Sequence, residues 1–280
     1  MIKVIHFSDL HIGESKNLEE CKNLEKIREY LISFYQNSKN KPYIIISGDL
    51  VHHGEEKEYQ KVVELLQPLV DQKFKLLISP GNHDLGRGGS VKSYLAVQEE
   101  CANRYVKYIH KKLLKFPLDS QGEVLKYDDV FPLKTEILQG NDKLLLIGLN
   151  SMEKIYHKPL RFATGKIPKK DLKTLAHILE DSNYKSHKKI VYLHHHLFSN
   201  RAFMVLKKRK KVRQFLNKNR VDLVLFGHLH KECDCKSGSY LTKYLASGKT
   251  TKLTKNKKIS FKEIQIEDNK INIVQKSITL

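Results

Sequence analysis

The sequence predicts a single α/β domain that is built on a parallel β-sheet. Short apolar runs rich in β-branched residues alternate with helical patterns along the first half of the chain. This order is typical of parallel strands joined by crossover helices. With 280 residues, 40% of them hydrophobic, the chain can bury a large core. No repeat, linker or change of composition marks a boundary, so we expect one domain over residues 1–280.

Short apolar runs predict the strands, and most are nearly continuous, as expected of strands covered on both faces. They span Ile2–Phe7, Tyr43–Ser47, Lys75–Ser79, Leu144–Leu149, Ile190–Leu193 and Asp222–Phe226. Near the end of the chain, "KISFKEIQIEDNKINIVQKSI" alternates apolar and polar residues. This pattern predicts a C-terminal hairpin within residues 240–280, with Asp268 and Asn269 at its turn.

Amphipathic patterns predict the helices that connect these strands. They span Leu18–Tyr35, Glu55–Leu69, Ser90–Leu114, Lys169–Leu179 and Phe203–Leu216. In the first of them, Leu24, Ile27 and Leu31 form one apolar stripe. The segment 90–125 either joins the core or folds over a pocket as a cap, and the sequence leaves both possibilities open.

The amino-terminal residues predict a strand and not a targeting segment. "MIKVIHFSD" lacks the apolar run followed by small residues that a secretion signal needs. No stretch approaches the roughly 20 apolar residues of a membrane-spanning helix. We therefore expect a soluble, cytoplasmic protein.

The cysteines predict no disulfide framework. Cys21, Cys101, Cys233 and Cys235 contain no CxxC pair, and they are too few to stabilise a chain of this length by disulfides. Cys233 and Cys235 flank Asp234 and could bind a metal, although a spacing of two is uncommon for zinc. We expect all of them to be reduced thiols.

The chain is strongly basic, with a net charge of +20, and the charge is unevenly distributed. No acidic residue lies between Asp181 and Asp222. The basic residues of that interval are Lys185, Lys188, Lys189, Arg201, Lys207, Lys208, Arg209, Lys210, Lys211, Arg213, Lys218 and Arg220. Such a field attracts nucleotides, nucleic acid or acidic lipid head groups. The stretch Lys207–Arg213 is therefore a candidate surface for nucleic acid or an anionic membrane, and a solvated helix face is the alternative.

Residues with metal-binding side chains follow five of the predicted strands. The first strand ends in "SDLHIG", the second in "SGDLVHHG" and the third in "PGNHD", and two later strands end in "HHH" and "GHLH". The carboxyl ends of parallel strands converge on one crevice. Each motif alone has an ordinary explanation as a turn, a cap or a buried histidine. Capping does not explain all five together, so we expect one shared site.

The residue types in these motifs predict a site for two divalent transition metals. Imidazole mixed with carboxylate and amide oxygen suits Mn, Fe, Co, Ni or Zn, whereas oxygen ligands alone suit Mg or Ca. Asp9 and His11 are two residues apart, as are His228 and His230, so each pair points to one face of an extended strand end. Asp49 arrives between the others, where it can bridge ions about 3.5 to 4 Å apart.

The ordered motifs "DLH", "GDL", "GNHD", "HHH" and "GHLH" resemble those of the calcineurin-like metallophosphoesterase superfamily and extend from Asp9 to His230. The resemblance implies an α/β fold with a four-layer αββα sandwich. It also implies a dinuclear centre, for which Mn or an Fe/Mn pair is favoured. The implied ligands are Asp9, His11, Asp49 and His230 for one ion, and Asp49, Asn82, His194 and His228 for the other.

The same resemblance implies roles for residues beside the ligands. His83 would not bind metal but would protonate or stabilise the leaving oxygen, with Asp84 orienting its ring. His195 matches a second histidine of the family and would contact phosphate, and His196 would be structural or lie on the rim of the pocket. The implied reaction is hydrolysis of a phosphodiester by in-line attack of a hydroxide that bridges the two metals.

The substrate stays open at this level. The size and the "LHHH" run resemble the cyclic-nucleotide and small phosphodiester branch, so we expect a small anionic phosphoester, a nucleotide or cyclic nucleotide. Leu197 departs from this branch, where many relatives have proline. A nuclease or a lipid-precursor (nucleotide-diphospho-sugar) pyrophosphatase that uses the basic surface is the alternative. A phosphomonoesterase and an inactive binding module come after these, the latter because no ligand position is lost.

Overall fold

In the computed structural model, two β-sheets pack face to face between two layers of helices. The structure describes residues 1–86, 95–152, 163–201, 204–235 and 241–279. This arrangement confirms the α/β class and the four-layer αββα sandwich that the family resemblance implies.

The strands, in chain order, are β1 (Ile2–Phe7), β2 (Tyr43–Ser47), β3 (Lys75–Ser79), β4 (Leu133–Gln139), β5 (Asp142–Gly148), β6 (Lys188–Tyr192), β7 (Leu223–Phe226), β8 (Cys233–Asp234), β9 (Lys243–Ala246), β10 (Lys258–Glu267) and β11 (Lys270–Thr279). One sheet has the order β11-β10-β1-β2-β3, and the other has the order β4-β5-β6-β7-β9-β8. In the first sheet β1, β2 and β3 are parallel, and in the second β5, β6, β7 and β9 are parallel. The five motifs follow the carboxyl ends of β1, β2, β3, β6 and β7.

The apolar runs and the C-terminal hairpin are confirmed as strands, whereas β4, β8 and β9 were missed. Strand β4 lies at the edge of its sheet and alternates buried with exposed side chains, so it lacks a continuous apolar run. Strands β8 and β9 have only two and four residues. Such short strands exist because a neighbouring strand supplies their hydrogen bonds, which the sequence pattern does not reveal.

The helices are α1 (Glu19–Phe34), α2 (Glu56–Asp71), α3 (Leu95–Tyr105), α4 (Lys169–Glu180) and α5 (Arg209–Lys218). The pattern over 90–114 predicted one helix, but α3 is followed by a π-helical segment at Val106–Leu114. The helix predicted over 203–216 begins later, at Arg209, and residues 87–94 and 202–203 lie outside the described residues.

Within the possible cap, residues 95–114 pack against α2 and contribute Tyr105, Ile109 and Leu113 to the core. The guanidinium of Arg104 donates to the carbonyl oxygen of Gly54 at 3.0 Å, which ties α3 to the loop after β2. These residues therefore behave as core, and a capping role for 90–125 is left as a prediction for the other parts of that segment.

Side chains that alternate along each strand contribute to two different core layers, one between the sheets and one beneath the helices. Val4 and Leu146 lie between the two sheets, whereas Ile5 faces the layer of α1, α2 and α3. On the other side of the molecule, Val191 packs with Leu216 of α5. Successive side chains of a strand point to opposite faces, so strands buried on both faces need the near-continuous apolar runs seen in the sequence. Among the described residues, no helix is long and apolar enough to cross a bilayer.

The expectation that all cysteines are reduced is wrong for one pair. Cys233 and Cys235 form a disulfide in β8 and the residue that follows it, with Cα atoms 5.2 Å apart. Cys21 and Cys101 are free thiols in the core, as expected. The disulfide was missed because cysteine spacing shows neither the backbone path nor the short strand that brings the two sulfurs together.

Candidate metal centre

The predicted ligands meet where the carboxyl ends of strands from both sheets approach one another. Asp9 and Asp49 follow β1 and β2, Asn82 follows β3, and His194 and His228 follow β6 and β7. The Nδ1–H of His194 donates to the carbonyl oxygen of Ser47 at 2.8 Å, so the fourth motif is held directly against the end of β2. The convergence expected from the sequence is therefore present.

The first group of side chains contains Asp9, His11, Asp49 and His230, and one ligand atom of each lies within 4.8 Å of the others. Nε2 of His11 lies 2.9 Å from Nε2 of His230 and 3.6 Å from Oδ2 of Asp49. Nε2 of His230 lies 3.5 Å from Oδ1 of Asp9. The donor set mixes imidazole with carboxylate, as a first-row transition metal prefers.

The second group contains Asp49, His194 and His228, again with ligand atoms within 4.8 Å of one another. Nε2 of His194 lies 3.2 Å from Oδ2 of Asp49 and 3.1 Å from Nδ1 of His228. The side-chain oxygen of Asn82 lies 3.1 Å from the same Nε2 atom, so Asn82 joins this group. Asp49 is common to both groups, which is where a bridging ligand has to lie.

The side chains of the second group fit a cation. Because Nδ1 of His194 donates to the backbone, the Nε2 lone pair of the neutral ring faces the oxygens of Asn82 and Asp49. Acceptors this close repel one another unless positive charge lies between them. Burial lowers the pKa of His194, but the Asp49 and Asp9 carboxylates raise it more, to about 9.

Backbone conformation, and not strand alternation, directs the side chains. The argument that residues two apart on an extended strand share a face is wrong here, because β1 ends at Phe7 and β7 ends at Phe226. Asp9, His11, Asp49, His228 and His230 all have positive φ, between 49° and 80°. Non-glycine residues rarely adopt this conformation, and such strain is concentrated at functional sites.

Glycines let the backbone pass close to the centre. A Cβ atom on Gly48 would lie 2.7 Å from Nδ1 of His194, and Gly48 also has a φ of 91°. A Cβ atom on Gly81 would lie 2.8 Å from Cγ of Asp49 and still closer to its Oδ1 atom. The "GD" and "GN" pairs of the motifs therefore have steric reasons of their own.

His83 lies beside the first group, with its ring centroid 4.5 Å from that of His11. Its backbone N–H donates to Oδ1 of Asp49 at 2.9 Å, and its Nδ1–H donates to the carbonyl oxygen of His52 at 2.7 Å. Nε2 of His83 is therefore the nitrogen left for a reacting group. The carbonyl oxygen that orients the ring could not be read from the sequence, because any residue type would supply it.

The expectation that Asp84 orients His83 is wrong. The Asp84 carboxylate is fully buried and accepts backbone N–H groups instead. Oδ2 accepts from Asp49 at 3.0 Å and from Gly81 at 2.8 Å, and Oδ1 accepts from Leu50 at 2.8 Å and from Val51 at 3.2 Å. Asp84 therefore fixes the loop that carries Asp49 to the loop after β3.

His195 and His196 follow the ligand His194, and both are buried. Nδ1 of His195 lies 2.9 Å from the hydroxyl of Ser151, and its ring centroid is 4.6 Å from that of His228. A phosphate contact by His195 stays a prediction. Nδ1 of His196 accepts from the backbone N–H of Phe198 at 3.1 Å, and the role of this ring stays a prediction.

His52 was missed by the sequence reasoning. Its Nδ1 lies 3.3 Å from Nδ1 of His11, and one nitrogen each of His11, His52 and His83 lie within 4.8 Å of one another. The signal was the "HH" pair in "GDLVHHG", which follows the strand that ends at Ser47. The most accessible side chains of the centre are His52, His83 and His230, so solvent reaches the ligands from this side.

The basic stretch Lys207–Arg213 forms the amino-terminal part of α5 and the residues just before it. Its first turn contains no acidic side chain, so the lysines add to the positive helix end. The guanidinium of Arg209 donates to the side-chain oxygen of Asn200 at 2.8 Å, and Arg213 donates to the carbonyl oxygen of Leu197. The basic helix is thus packed against the loop that leaves His196.

Comparison with protein families agrees with this geometry. The model of the family described as calcineurin-like phosphoesterase matches residues 2–232. A protein from Vesicomyosocius okutanii, described as a probable cyclic nucleotide phosphodiesterase, is 34% identical over 84 residues. That alignment covers 29% of this chain and 33% of the relative.

Solved structures share the fold at low sequence identity. The purple acid phosphatase PPD1 from yellow lupin (Lupinus luteus) has a TM-score of 0.61 at 13% identity, and the match covers 99% of this chain and 51% of that one. TT1561 of Thermus thermophilus has a TM-score of 0.51 at 12% identity, with 98% of both chains covered. Sulfate thiohydrolase SoxB, also from Thermus thermophilus, has a TM-score of 0.56 at 13% identity and matches over 99% of this chain and 56% of its own. These similarities concern the fold alone.

Proposed function

The chain belongs to the calcineurin-like phosphoesterase family, and from this membership and the geometry of the centre we propose that it is a phosphodiesterase that uses two divalent metal ions. The observation that carries the proposal is the presence of Asp49 in both ligand groups. A shared carboxylate is what two ions about 3.5 to 4 Å apart require.

The residues divide between the ions as the two groups do. Asp9, His11, Asp49 and His230 would hold one ion, and Asp49, Asn82, His194 and His228 would hold the other. The mixed nitrogen and oxygen donors suit Mn, Fe, Co, Ni or Zn, and we propose Mn or an Fe/Mn pair. When bound, two such ions would offset the charge of a phosphoryl group and activate water.

His83 is the proposed general acid. Its Nδ1–H is directed to the carbonyl oxygen of His52 at 2.7 Å, so the proton on Nε2 of the imidazolium is the one available for transfer. Its backbone N–H donates to Oδ1 of Asp49 at 2.9 Å, which supports a position of His83 beside the ligands. A proton donor in this position would assist departure of the leaving oxygen.

A nucleotide or cyclic nucleotide is the proposed substrate. The support is the similarity of 84 residues of this chain to a probable cyclic nucleotide phosphodiesterase. The alignment covers only 33% of that relative, so it does not extend to the activity of the whole relative. The accessible side of the centre, at His52, His83 and His230, is where such a substrate would enter.

A second candidate is an enzyme that acts on a larger polyanion, such as a nuclease or a lipid-precursor pyrophosphatase. The observation in its favour is the position of α5, whose basic amino-terminal part is packed against the loop after His196. A substrate with several phosphates could then contact Lys207–Arg213 while one phosphoester lies at the centre. Binding of such a substrate would weaken steeply with salt, because each phosphate contact releases a counterion.

The first experiment compares bis(p-nitrophenyl) phosphate with p-nitrophenyl phosphate on protein stripped of metal and then resupplied with Mn²⁺. Metal-dependent hydrolysis that favours the diester supports the proposal. Preference for the monoester would show a phosphomonoesterase instead. No hydrolysis of either compound by protein that holds two ions would contradict the proposal for simple esters.

The second experiment separates the two substrate classes. Hydrolysis of a cyclic dinucleotide, a cyclic mononucleotide and a single-stranded oligonucleotide is measured at 50 and 300 mM salt, with the Lys210→Gln/Lys211→Gln variant alongside. If the small nucleotide is the substrate, the variant keeps its KM. If the polyanion is the substrate, the variant raises KM for the oligonucleotide and flattens its salt dependence.

A further inference from the structure

Three imidazoles beside the first ligand group form a cluster of their own. One ring nitrogen each of His11, His52 and His83 lies within 4.8 Å of the other two. We propose that this cluster binds an additional transition-metal ion, and that the ion inhibits hydrolysis by occupying His83. The inhibitory part of the inference rests on the proposed function, whereas the binding part does not.

His11 offers one nitrogen to each cluster. Its Nε2 faces the first ligand group, at 2.9 Å from Nε2 of His230. Its Nδ1 faces the other way, at 3.3 Å from Nδ1 of His52. An ion with metal–nitrogen distances of about 2.0–2.1 Å and tetrahedral angles keeps its ligand nitrogens about 3.3–3.4 Å apart. The separation between His11 and His52 is therefore the one that a shared ion requires.

His83 completes the cluster with its remaining nitrogen. Its Nδ1–H is held by the carbonyl oxygen of His52 at 2.7 Å, which leaves Nε2 as the possible ligand. The ring centroid of His83 lies 4.5 Å from that of His11 and 5.0 Å from that of His52. His52 and His83 are both partly exposed, so an ion can enter from solvent without opening the core.

The composition of the cluster selects the ion. All three donors are imidazoles, which suit Zn, Cu or Ni and bind Mg or Mn poorly. Coordination through both nitrogens of His11 requires its ring to release the remaining N–H proton to solvent.

The consequence for catalysis follows from His83. An ion on Nε2 takes up the lone pair that otherwise carries the transferable proton, so the general acid is lost while both ions of the centre stay in place. Excess zinc should therefore inhibit an enzyme that already holds its two ions.

The binding experiment counts zinc at equilibrium by dialysis at pH 7.5 followed by elemental analysis. The parent protein should bind three ions per chain and His52→Asn two, with the third ion of the variant weakened at least tenfold. His53→Asn is the matched control. His53 neighbours His52 but is exposed, and its Nδ1 lies 2.9 Å from Oε1 of Glu58, so this variant should still bind three.

The inhibition experiment adds zinc to protein preloaded with two zinc equivalents and follows diester hydrolysis. The concentration of added zinc that halves the rate should rise at least tenfold in His52→Asn and should not change in His53→Asn. Circular dichroism and thermal melting confirm that the variants are folded, and His52→Gln replaces His52→Asn if that variant is not. His83→Ala, which removes another nitrogen of the cluster, should also lose the third ion.

Two bound ions in the parent, or three in both His52→Asn and His83→Ala, would overturn the inference. If the parent protein binds two ions per chain, hydrolyses the diester and is not inhibited by added zinc, the inference of an additional site is overturned and the proposed function stays intact. Three ions in the parent, two in His52→Asn and no hydrolysis would support the additional site and overturn the proposed function.

Discussion

The carboxylate of Asp84 accepts a hydrogen bond from the backbone N–H of Asp49 at 3.0 Å, so the loop after β3 holds the residue that both ligand groups share. Three further N–H groups, of Leu50, Val51 and Gly81, donate to the same carboxylate. Asp84 thus acts on the centre through the backbone. This relationship separates the residues that would bind ions from those that position them, and the two kinds should respond differently to substitution.

Asp49→Ala should remove both ions, because the lost carboxylate belongs to both ligand groups. We expect metal content to fall from two ions per chain towards none and diester hydrolysis to fall by at least a hundredfold. Elemental analysis after gel filtration measures the content. Asp71→Ala, which removes an exposed carboxylate at the end of α2, is the control and should retain both ions. A variant that lost Asp49 but kept two ions would contradict the bridging assignment.

His83→Ala should keep both ions and lose rate. The ring lies beside the ligands and not in either group that shares Asp49, so its removal leaves the ions their donors. The loss should be about 10²–10⁴-fold for esters with poor leaving groups and small for p-nitrophenyl esters, because a good leaving group needs no acid. His53→Ala, an exposed ring next to His52, is the control. If His83→Ala lost an ion of the centre as well, the ring would be a ligand and the acid role wrong.

Asp84→Asn should destabilise the protein, and not act on the rate alone. All the partners of the carboxylate are backbone N–H donors. The side-chain NH₂ group of an asparagine would therefore lie against N–H groups that need an acceptor. We expect a loss of about 1–3 kcal/mol in the free energy of unfolding, from denaturant titration of metal-free protein.

The Asp84 measurement is made at pH 8, because burial and the Asp49 carboxylate raise the pKa of Asp84 to about 7. Asp119→Asn is the matched control, since Asp119 is exposed and accepts the N–H groups of Gln121 and Glu123. The control should change stability by less than about 0.5 kcal/mol. If Asp84→Asn keeps its free energy of unfolding but hydrolyses the diester more slowly, Asp84 would act by orienting His83 after all.

Gly81→Ala should lower metal affinity without removing any ligand. The new Cβ atom would lie 2.8 Å from Cγ of Asp49, closer than real Cβ atoms approach, so the shared carboxylate has to move. We expect at least a tenfold increase in the Kd for metal, measured by competition with a chelating dye. Gly248→Ala is the control, because the new Cβ atom would lie at an ordinary 3.4 Å from Cγ of Glu232. Equal affinity in the two variants would show that the Gly81 contact relaxes at no cost.

His110 should make stability depend on pH. Burial lowers the pKa of His110 from 6.5 to about 4, so the folded protein keeps the ring neutral where the unfolded chain protonates it. Its contribution is present above pH 6.5 and is lost as the pH falls towards 4. The loss amounts to about 3 kcal/mol when complete, since each pKa unit corresponds to about 1.36 kcal/mol.

The His110 prediction is tested by unfolding metal-free protein at pH 7 and pH 4.5. His110→Phe should reduce the difference in stability between the two pH values, and His177→Phe, on an exposed ring of α4, should not. An unchanged difference in His110→Phe would mean that other groups carry the pH dependence.

Much of the fold could be predicted because it depends on local patterns. The strands that end before Asp9, Asp49 and Asn82 are apolar on both faces, and the helices between them carry one apolar stripe. The edge strands β4 and β8 and the short strand β9 could not be predicted, because they are polar or short and depend on hydrogen bonds from their neighbours. The disulfide between Cys233 and Cys235 could not be predicted either, because it depends on the backbone path around the short strand β8.

The sequence by itself determined the donors and their order, since each motif is contiguous and follows a strand whose apolar pattern is local. The tertiary structure decided how the donors point. Asp9 and His228 have positive φ, and the backbone N–H of His228 donates to the Asp9 carboxylate, a contact between residues that are far apart in the chain. It also decided that Asp84 holds backbone N–H groups and that His52 faces His11. Those partners are set by the path of the main chain in space, which residue types at a given spacing do not specify.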